Sequence, residues 1–540
     1  MKINKISLLF IPLLVVISAC NGKQEEVEPT PKKEELTLKL VYDPEIAPVA
    51  KWIQSQYEEF EPLTNGRKVQ LKLLEKRGVV AAEEIASGKL KTDVWLSPST
   101  ALTDYANFNV RNLGAKQVDC TGLFSTPMIA AAKQSTKSFL KAENNTINLS
   151  RFLEEDTKSL GLFSINHTLP ELSQSGLSAL IELLHIATTE NSGMLQPKIL
   201  DQATVKKNLS KFESYASTYK ESAADILEWI AKSPISTHPL AIVSEQELIQ
   251  HNLKNTTSSR AELVSLYPVE GSYWMSYNIC RSDVDWIDQA TISAYKQLVT
   301  FLTSEDAQKY ILSLGFRPVR ISTLSAPFTK ALGVDPKLPT KLLLPPQGAL
   351  ITDLLKAWPS LKRPAATTFI VDTSGSMEGE DLISVKNNLL IAVDKMSNED
   401  VAALITFSAS AKVDLEFSNN KRKLKDKISS LTAASDSALY DAINLGLQSL
   451  SFSKFPNHRK NIILITDSKD SGSSISFSVL QESLQNTLRH HQVNLHIVAI
   501  DRSDLQIEPL KNLATLSGGN LIQTNSAALY NVLTMLLKQL

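Results

Sequence analysis

The sequence predicts an α/β protein in which a two-lobed first part is followed by a doubly wound last third. In residues 366–540, five apolar runs rich in β-branched residues alternate with stretches of helical period. This alternation is typical of crossover connections and of a mainly parallel sheet covered by helices on both faces. Residues 36–346 also alternate between strand and helix patterns, but less regularly and over a much longer stretch. That length exceeds one small domain and suits two lobes.

Hydrophobic periodicity places the individual elements. In the first part we expect strands at 36–42, 69–74, 92–96 and 264–267 and helices at 47–60, 79–86, 175–187, 203–217, 222–232, 245–252 and 286–303. In the last third we expect strands at 367–372, 401–407, 460–467, 494–501 and 520–524 and helices at 381–396, 436–450, 477–492 and 527–540. Residues 347–365 carry clustered prolines around a short amphipathic stretch, which predicts a linker that packs through Trp358 and has limited freedom.

Composition and motif content exclude several classes of protein. Lys and Arg number 56 and Asp and Glu number 57, so the formal net charge is −1 and the whole chain does not attract nucleic acid. The three cysteines are too few for a disulfide-rich scaffold. The sequence contains no His-Glu-x-x-His, no Gly-rich phosphate loop ending in Lys-Ser/Thr and no Gly-x-Ser-x-Gly. We therefore predict a binding protein that is not an enzyme.

The N-terminus has the pattern of an export signal. Two lysines precede an apolar run over 6–17, which is shorter than the roughly 20 residues that a spanning helix needs. The run ends in Ile-Ser-Ala-Cys at 17–20, which resembles the lipobox of bacterial lipoproteins. This resemblance implies that residues 1–20 are a signal peptide, that Cys20 is lipidated, and that the chain is anchored to a bacterial membrane in the cell envelope, facing the periplasm or the outside. An ordinary secretory signal with an incidental cysteine is the alternative, and the polar residues 21–35 are predicted to form a tether in either case.

Cys120 and Cys280 remain if Cys20 carries lipid. An even pair in an exported, oxidising compartment favours a disulfide, which would close a loop of about 160 residues. Two buried, unpaired thiols are the alternative, because the sequence gives no geometry.

Acidic and hydroxyl side chains follow the predicted strands of the last third. Asp372, Ser374 and Ser376 come at the end of the strand at 367–372, and Asp467 ends the strand at 460–467. Ser437 lies in a loop that opens a helix between them. Because ligands of doubly wound sheets bind beyond the carboxyl ends of the strands, these side chains are expected to meet. Two carboxylates and three hydroxyls are hard oxygen donors that suit Mg²⁺, or another divalent cation such as Mn²⁺ or Ca²⁺.

Three segments of this region resemble a known family. FIVDTSGSM at 369–377, LYDA at 439–442 and ILITD at 463–467 are similar to the motif loops of von Willebrand factor A domains with a metal-ion-dependent adhesion site. The resemblance implies that Ser374 and Ser376 are direct ligands and that Asp467 acts directly or through water. Ser437 stands where the family usually has Thr, and its hydroxyl can make the same bond. The alternative is a retained fold without metal.

Segments of the first part resemble bacterial periplasmic substrate-binding proteins, namely 92–99, 172–180, 266–271 and, most clearly, 304–318. This resemblance implies two lobes at 36–346 with a solute in the cleft between them, and a Cys120–Cys280 bridge would tie the two hinge segments. Hydroxyls at helix N-termini suit anions, and four serines lie in loops of that kind: Ser97, Ser99, Ser173 and Ser175. These serines can equally be ordinary helix caps.

Together these features predict a lipid-anchored protein whose C-terminal domain, at 366–540, uses a divalent metal to bind an Asp or Glu of a partner protein. The alternative is a solute-binding receptor of a transporter or sensor, with the C-terminal domain serving only to dock it.

Overall fold

The computed structural model describes residues 35–540 except 155–159, 189–194, 196, 256–260, 435, 452–454 and 501–506. The predicted signal peptide, the predicted lipidation residue Cys20 and almost the whole predicted tether therefore lie outside the described residues. Among the described helices, none combines the length and the apolar composition that crossing a bilayer requires.

The described residues form nineteen strands, numbered along the chain. They are β1 (Glu35–Tyr42), β2 (Leu63–Thr64), β3 (Arg67–Glu75), β4 (Val94–Ser97), β5 (Lys116–Lys133), β6 (Thr146–Ile147), β7 (Phe163–Thr168), β8 (Tyr219–Lys220), β9 (His238–Ser244), β10 (Leu263–Pro268), β11 (Ser272–Asp283), β12 (Arg317–Pro318), β13 (Leu342–Leu343), β14 (Ala365–Asp372), β15 (Val401–Phe407), β16 (Ala411–Ser418), β17 (Arg459–Thr466), β18 (Val493–Ile500) and β19 (Leu521–Thr524).

The α-helices of the same residues are α1 (Ala47–Glu59), α2 (Gly78–Ser87), α3 (Thr100–Phe108), α4 (Gln134–Phe139), α5 (Gln174–Ala187), α6 (Ala203–Glu213), α7 (Ala223–Lys232), α8 (Glu245–Asn255), α9 (Gln289–Leu302), α10 (Glu305–Ser313), α11 (Gly348–Leu361), α12 (Glu380–Lys395), α13 (Lys421–Ser429), α14 (Leu439–Ser451), α15 (Phe477–Leu488), α16 (Ile507–Ser517) and α17 (Leu529–Gln539).

The first thirteen strands form one sheet, whose main order is β2-β3-β1-β4-β11-β5-β9-β7-β8. In β1 the buried leucines at 36, 38 and 40 alternate with exposed polar residues, as expected for a strand with one covered face. β1 pairs in parallel with β3 and β4, and we call this group the first lobe. β7 pairs in parallel with β8 and β9, and we call this group the second lobe. The antiparallel strands β5 and β11 lie between the two lobes.

β5 joins the two lobes because it is long enough to belong to both. Its first part pairs with β11, and its last part pairs with β9 and β10. Cys120 on β5 and Cys280 on β11 form a disulfide, so the two antiparallel strands are also joined covalently.

The helix α5 is buried over its whole length, as expected for a helix that is largely apolar on every face. It carries Glu182, whose side chain is 0% exposed and whose Oε2 accepts a hydrogen bond from the Tyr273 N–H at 2.9 Å. Burial raises the pKa of Glu182 to about 8. The folded chain therefore keeps this carboxyl protonated at neutral pH.

Replacing Glu182 by glutamine is expected to remove a pH dependence of stability. The unfolded carboxyl ionises near pH 4.5 and the folded one near pH 8, so unfolding releases a proton between these values and stability falls as pH rises. At pH 7 the ionisation of the unfolded carboxyl lowers the free energy of unfolding by about 3 kcal/mol. Glu182→Gln is expected to remove this loss, because an amide mimics the protonated acid and does not ionise. Urea unfolding at pH 5 and pH 8 measures the difference, with the exposed Glu416→Gln as control. Parallel pH profiles for Glu182→Gln and the wild type would contradict the expectation.

The last six strands form a second sheet in the order β16-β15-β14-β17-β18-β19. Five of them are parallel, and the edge strand β16 is antiparallel to β15. One core joins the sheet to α14, α15 and α16, and another joins its opposite face to α12, α13 and α17. Helices therefore cover both faces, and the predicted doubly wound α/β class is confirmed. The strand order reverses at β14, so the carboxyl ends of β14 and its neighbours form a topological switch point.

The segment that was predicted as a linker contains α11, which packs against the first part. Trp358 on this helix is 1% exposed, and its ring lies 5.4 Å from that of Tyr219 in an edge-to-face arrangement. The guanidinium of Arg459, the first residue of β17, lies 4.7 Å from the centre of the same Tyr219 ring. Trp358, Tyr219 and Arg459 thus connect α11 with both sheets.

Polar contacts continue this connection along the second sheet. The Lys220 ammonium donates hydrogen bonds to the carbonyls of Gly518 and Gly519 and to Asn520 Oδ1, and burial lowers the pKa of Lys220 to about 7. Asn494 Nδ2 donates to the Ser217 carbonyl at 2.7 Å. Gly518 has a φ of +90°, and a Cβ there would lie 2.7 Å from Asn494 Oδ1, so this position requires glycine.

All these contacts involve the amino ends of the second sheet's strands. Arg459 begins β17, Asn494 is the second residue of β18, and Asn520 directly precedes β19. The first part of the chain therefore contacts one end of the second sheet, opposite the end that carries the predicted metal ligands.

Candidate functional site

Asp372 is the last residue of β14 and is the most enclosed group of the predicted metal site. Its Oδ1 accepts the Ser374 N–H at 2.8 Å. Its Oδ2 accepts the hydroxyls of Thr466 and Ser468, each at 2.6 Å. Three neighbouring polar groups thus fix one buried carboxylate at the carboxyl ends of β14 and β17.

The hydroxyls continue from this carboxylate as a connected cluster. Ser374 Oγ lies 3.1 Å from Ser376 Oγ, and the Ser376 hydroxyl donates to Asp467 Oδ1 at 2.7 Å. In the other direction, Ser468 Oγ lies 3.3 Å from Ser374 Oγ and 3.0 Å from Ser437 Oγ. The five residues that the sequence singled out are therefore brought together.

The oxygen spacing allows a test of whether a small divalent cation fits these residues. Mg²⁺ binds oxygen at about 2.0–2.1 Å in an octahedron, which places adjacent ligands about 2.9 Å apart. The hydroxyl and carboxylate oxygens named above are 2.6–3.3 Å from their neighbours. Within the described part of the chain no group of three or more His, Cys, Asp or Glu side chains could hold a metal. A cation here would thus need the serine hydroxyls as well as Asp372 and Asp467.

Ser468 and Thr466 are members of the cluster that were not predicted from the sequence. Ser468 contacts Asp372, Ser374 and Ser437, so it lies at the centre of the hydrogen-bonded network. Thr466 donates to Asp372 from the last position of β17. Their place beside Asp467, at the end of a strand next to β14, was a signal that could have identified them.

Two further aspartates hold the loops of the site in place. Asp441 Oδ2 accepts the Ser474 N–H at 2.8 Å, and Asp470 Oδ1 accepts the Tyr440 N–H at 3.2 Å. Both bonds join the start of α14 to the loop after β17. The Ser471 and Gly472 N–H groups also donate to the Ser437 carbonyl, which fixes the position of that ligand candidate.

A second candidate site is a cavity of about 900 Å³ whose wall includes residues of both lobes. Asp43 and Glu45 follow β1, and Glu247 lies in the first turn of α8. Burial raises the pKa of Asp43 to about 6. Burial and the charges of Asp43 and Glu247 hold the pKa of Glu45 well above its usual range, and burial also raises the pKa of Glu247.

The four serines predicted for a solute site lie behind this wall and do not line the cavity. Ser173 caps α5 and donates to Glu45 Oε1 at 2.7 Å, and Ser175 donates to Glu247 Oε2 at 2.8 Å. Ser99 caps α3 and accepts a hydrogen bond from Gln174, while the Ser97 hydroxyl donates to the Ser99 carbonyl. The serines therefore orient carboxylates or cap helices in the structure.

Comparison with known proteins gives the following relationships. Residues 368–533 match the von Willebrand factor type A domain. The uncharacterized protein sll0103 of Synechocystis sp. (strain ATCC 27184 / PCC 6803 / Kazusa) is 28% identical over 109 residues, which are 20% of this chain and 26% of that protein. The chain thus spans about a quarter of the length of this curated relative.

Two solved structures are similar to the chain, each over a different share of its length. A von Willebrand factor type A protein from Catenulispora acidiphila is 18% identical, with a TM-score of 0.30, and the alignment covers 33% of this chain and 42% of that one. A periplasmic thiamin binding protein is 17% identical, with a TM-score of 0.43, and the alignment covers 62% of this chain and 97% of that one.

Proposed function

We propose that the chain is a lipid-anchored protein of a bacterial cell envelope that binds a protein partner in a divalent-metal-dependent manner and has no enzymatic activity. Asp372, Ser374, Ser376, Ser437 and Asp467 would hold Mg²⁺, or Mn²⁺ or Ca²⁺, at the carboxyl ends of β14 and β17. The lipobox-like segment that ends at Cys20 supports the anchor.

The observation that carries the proposal is the oxygen cluster itself. Buried and half-buried hydroxyls and two buried carboxylates lie at ligand spacing, in a domain of the von Willebrand factor type A kind. Two protein carboxylates just balance the charge of a divalent cation, and the neutral serine hydroxyls are weak donors, so the cation in this site would keep an affinity for one more anionic oxygen. An Asp or Glu side chain of a partner supplies such an oxygen.

Manganese is the probe for this proposal, because water-proton relaxation reports the exchangeable waters on bound Mn²⁺. We expect the full chain to bind Mn²⁺ and acetate to lower the relaxation enhancement by displacing a water. Acetamide has the same size without the charge and is expected to have no such effect. Failure of Mn²⁺ to bind, or equal effects of acetate and acetamide, would overturn the proposal.

A second function is favoured by the cavity. At about 900 Å³ it has the size of sites that hold small molecules, and it lies where two lobes meet. We propose that it binds a small solute, so that the chain serves a transporter or sensor as a receptor. A small molecule that raises the melting temperature of the full chain, and does so less when the cavity wall is altered, would support this function.

A further inference from the structure

One side of the cavity carries three carboxylates, Asp43, Glu45 and Glu247, which we call the cleft carboxylates. Asp43 and Glu45 follow β1 of the first lobe, and Glu247 lies on α8, which follows β9 of the second lobe. Among the described residues, none of the three forms an ion pair with Lys or Arg. Arg77 and Lys232 also line the cavity, but they lie 3.0 Å from Glu221 and 2.6 Å from Glu228, respectively. Neither basic residue forms an ion pair with a cleft carboxylate, although the charge of Arg77 partly opposes the rise in the pKa of Asp43 and of Glu45.

Glu45 has an acceptor that lacks a donor. Its Oε1 accepts the Ser173 hydroxyl, but its Oε2 is buried and has no hydrogen-bond partner among the described residues. A buried acceptor without a donor costs free energy, so native proteins rarely leave one unsatisfied. A donor from a molecule in the cavity would satisfy this oxygen.

The cavity wall also has an apolar part. Pro44, Ile46, Val49, Leu314 and Phe316 all line the cavity. A bare metal ion would leave this apolar surface uncovered, and it would fill only a small part of about 900 Å³. A molecule with a cationic group and an apolar frame matches both kinds of wall.

We propose that the cavity binds a small organic cation, whose ammonium or guanidinium group donates hydrogen bonds to Glu45 and Glu247 while its apolar frame lies against Phe316. This inference rests on the solute-binding function proposed above and names the class of solute. It differs from the anionic ligand that helix N-termini with serine hydroxyls suggest, because Ser173 and Ser175 already donate to the cleft carboxylates.

Two sets of matched probes test this class on the full chain in the presence of EDTA. Putrescine, butane-1,4-diol and succinate share a four-carbon frame, and phenethylamine, 2-phenylethanol and phenylacetate share an aromatic one. We expect at least one amine to bind in calorimetry at least about tenfold more tightly than its neutral and anionic partners, as charge-assisted hydrogen bonds predict. EDTA removes any contribution from the metal site, so this outcome is independent of the metal-dependent function.

Variants that keep the shape of the side chain test whether the amine binds at the cleft carboxylates. Glu45→Gln and Glu247→Gln are expected to weaken amine binding by about tenfold each, since a bound cation favours the ionised carboxylate and an amide cannot ionise. Glu59→Gln, on the exposed end of α1 and outside the cavity wall, is expected to leave binding unchanged. Melting temperatures of the three variants verify that they fold.

The remaining outcomes are also decisive. Tighter binding of a diol, alcohol or carboxylate than of its amine would overturn the cationic class and leave the solute-binding function intact. Without EDTA, Ca²⁺ binding that Glu45→Gln abolishes, together with no amine binding, would assign the cavity to a metal instead. Absence of binding by all six probes would count against both the cationic class and the solute-binding function.

Discussion

Replacing Asp372 by asparagine is expected to weaken Mn²⁺ binding by at least about a hundredfold. Substituting a residue that only hydrogen-bonds to a metal ligand already lowers metal affinity by about ten- to a hundredfold. The carboxylate is buried and oriented by Ser374, Thr466 and Ser468, so no other group can take its place. Asparagine keeps the shape but removes the negative charge and one acceptor. Titration of Mn²⁺ followed by electron paramagnetic resonance measures the affinity.

Three further variants separate a metal effect from misfolding. Ser376→Ala removes a less buried hydroxyl and is expected to weaken Mn²⁺ binding while the chain stays folded. Ser468→Ala is expected to weaken it by about tenfold, because Ser468 connects Asp372 with Ser437. Asp394→Asn, on the exposed face of α12, is the matched control. Wild-type Mn²⁺ affinity in folded Asp372→Asn and Ser376→Ala would show that the metal binds elsewhere and would overturn this site.

Replacing Trp358 by alanine is expected to cost about 3–5 kcal/mol of unfolding free energy, the usual range for a buried tryptophan. Trp358 packs on Tyr219, and the Lys362 ammonium lies 4.7 Å from its ring centre. The cavity left by the indole would also loosen the contact between the two sheets through Arg459. Urea unfolding measures the stability, and limited proteolysis reports separation of the two parts.

Trp286 provides a control of the same residue type. It is 44% exposed, so Trp286→Ala is expected to cost less than about 1 kcal/mol. Equal effects of the two substitutions, or a Trp358→Ala chain as stable as the wild type, would show that α11 does not hold the two parts together.

The last third of the chain was the easier part to predict. Its central strands are buried on both faces, so they appear in the sequence as continuous apolar runs such as Ile462–Ile465, and the polar residues that follow them stand out. The edge strand β16 has no such signal, because none of its residues is fully buried and its pattern is irregular. Ser468 follows Asp467 directly at the end of β17, which marks it as a candidate, but its contacts with β14 and with the loop before α14 become visible only in the fold.

The first part was harder because its decisive pairings are distant in sequence. β5 and β11 change their burial pattern along their length, and two register shifts interrupt their pairing, so neither shows a clean alternation. Ser173 and Ser175 marked the right region of the fold. Their partners Glu45 and Glu247 lie 128 and 72 residues away, and local periodicity carries no information about such contacts.

The contact with the first part of the chain and the oxygen cluster lie at opposite ends of the second sheet, and this arrangement has a steric consequence. Strand β17 has eight residues and therefore spans about 26 Å between Arg459, which meets the first part, and the oxygen cluster beyond Thr466. The cluster thus projects away from the lobes, and even a bulky macromolecule could approach it without colliding with them. Occupation of the cavity and engagement of a large partner need not compete for space, and both could occur on one copy of the chain at the same time.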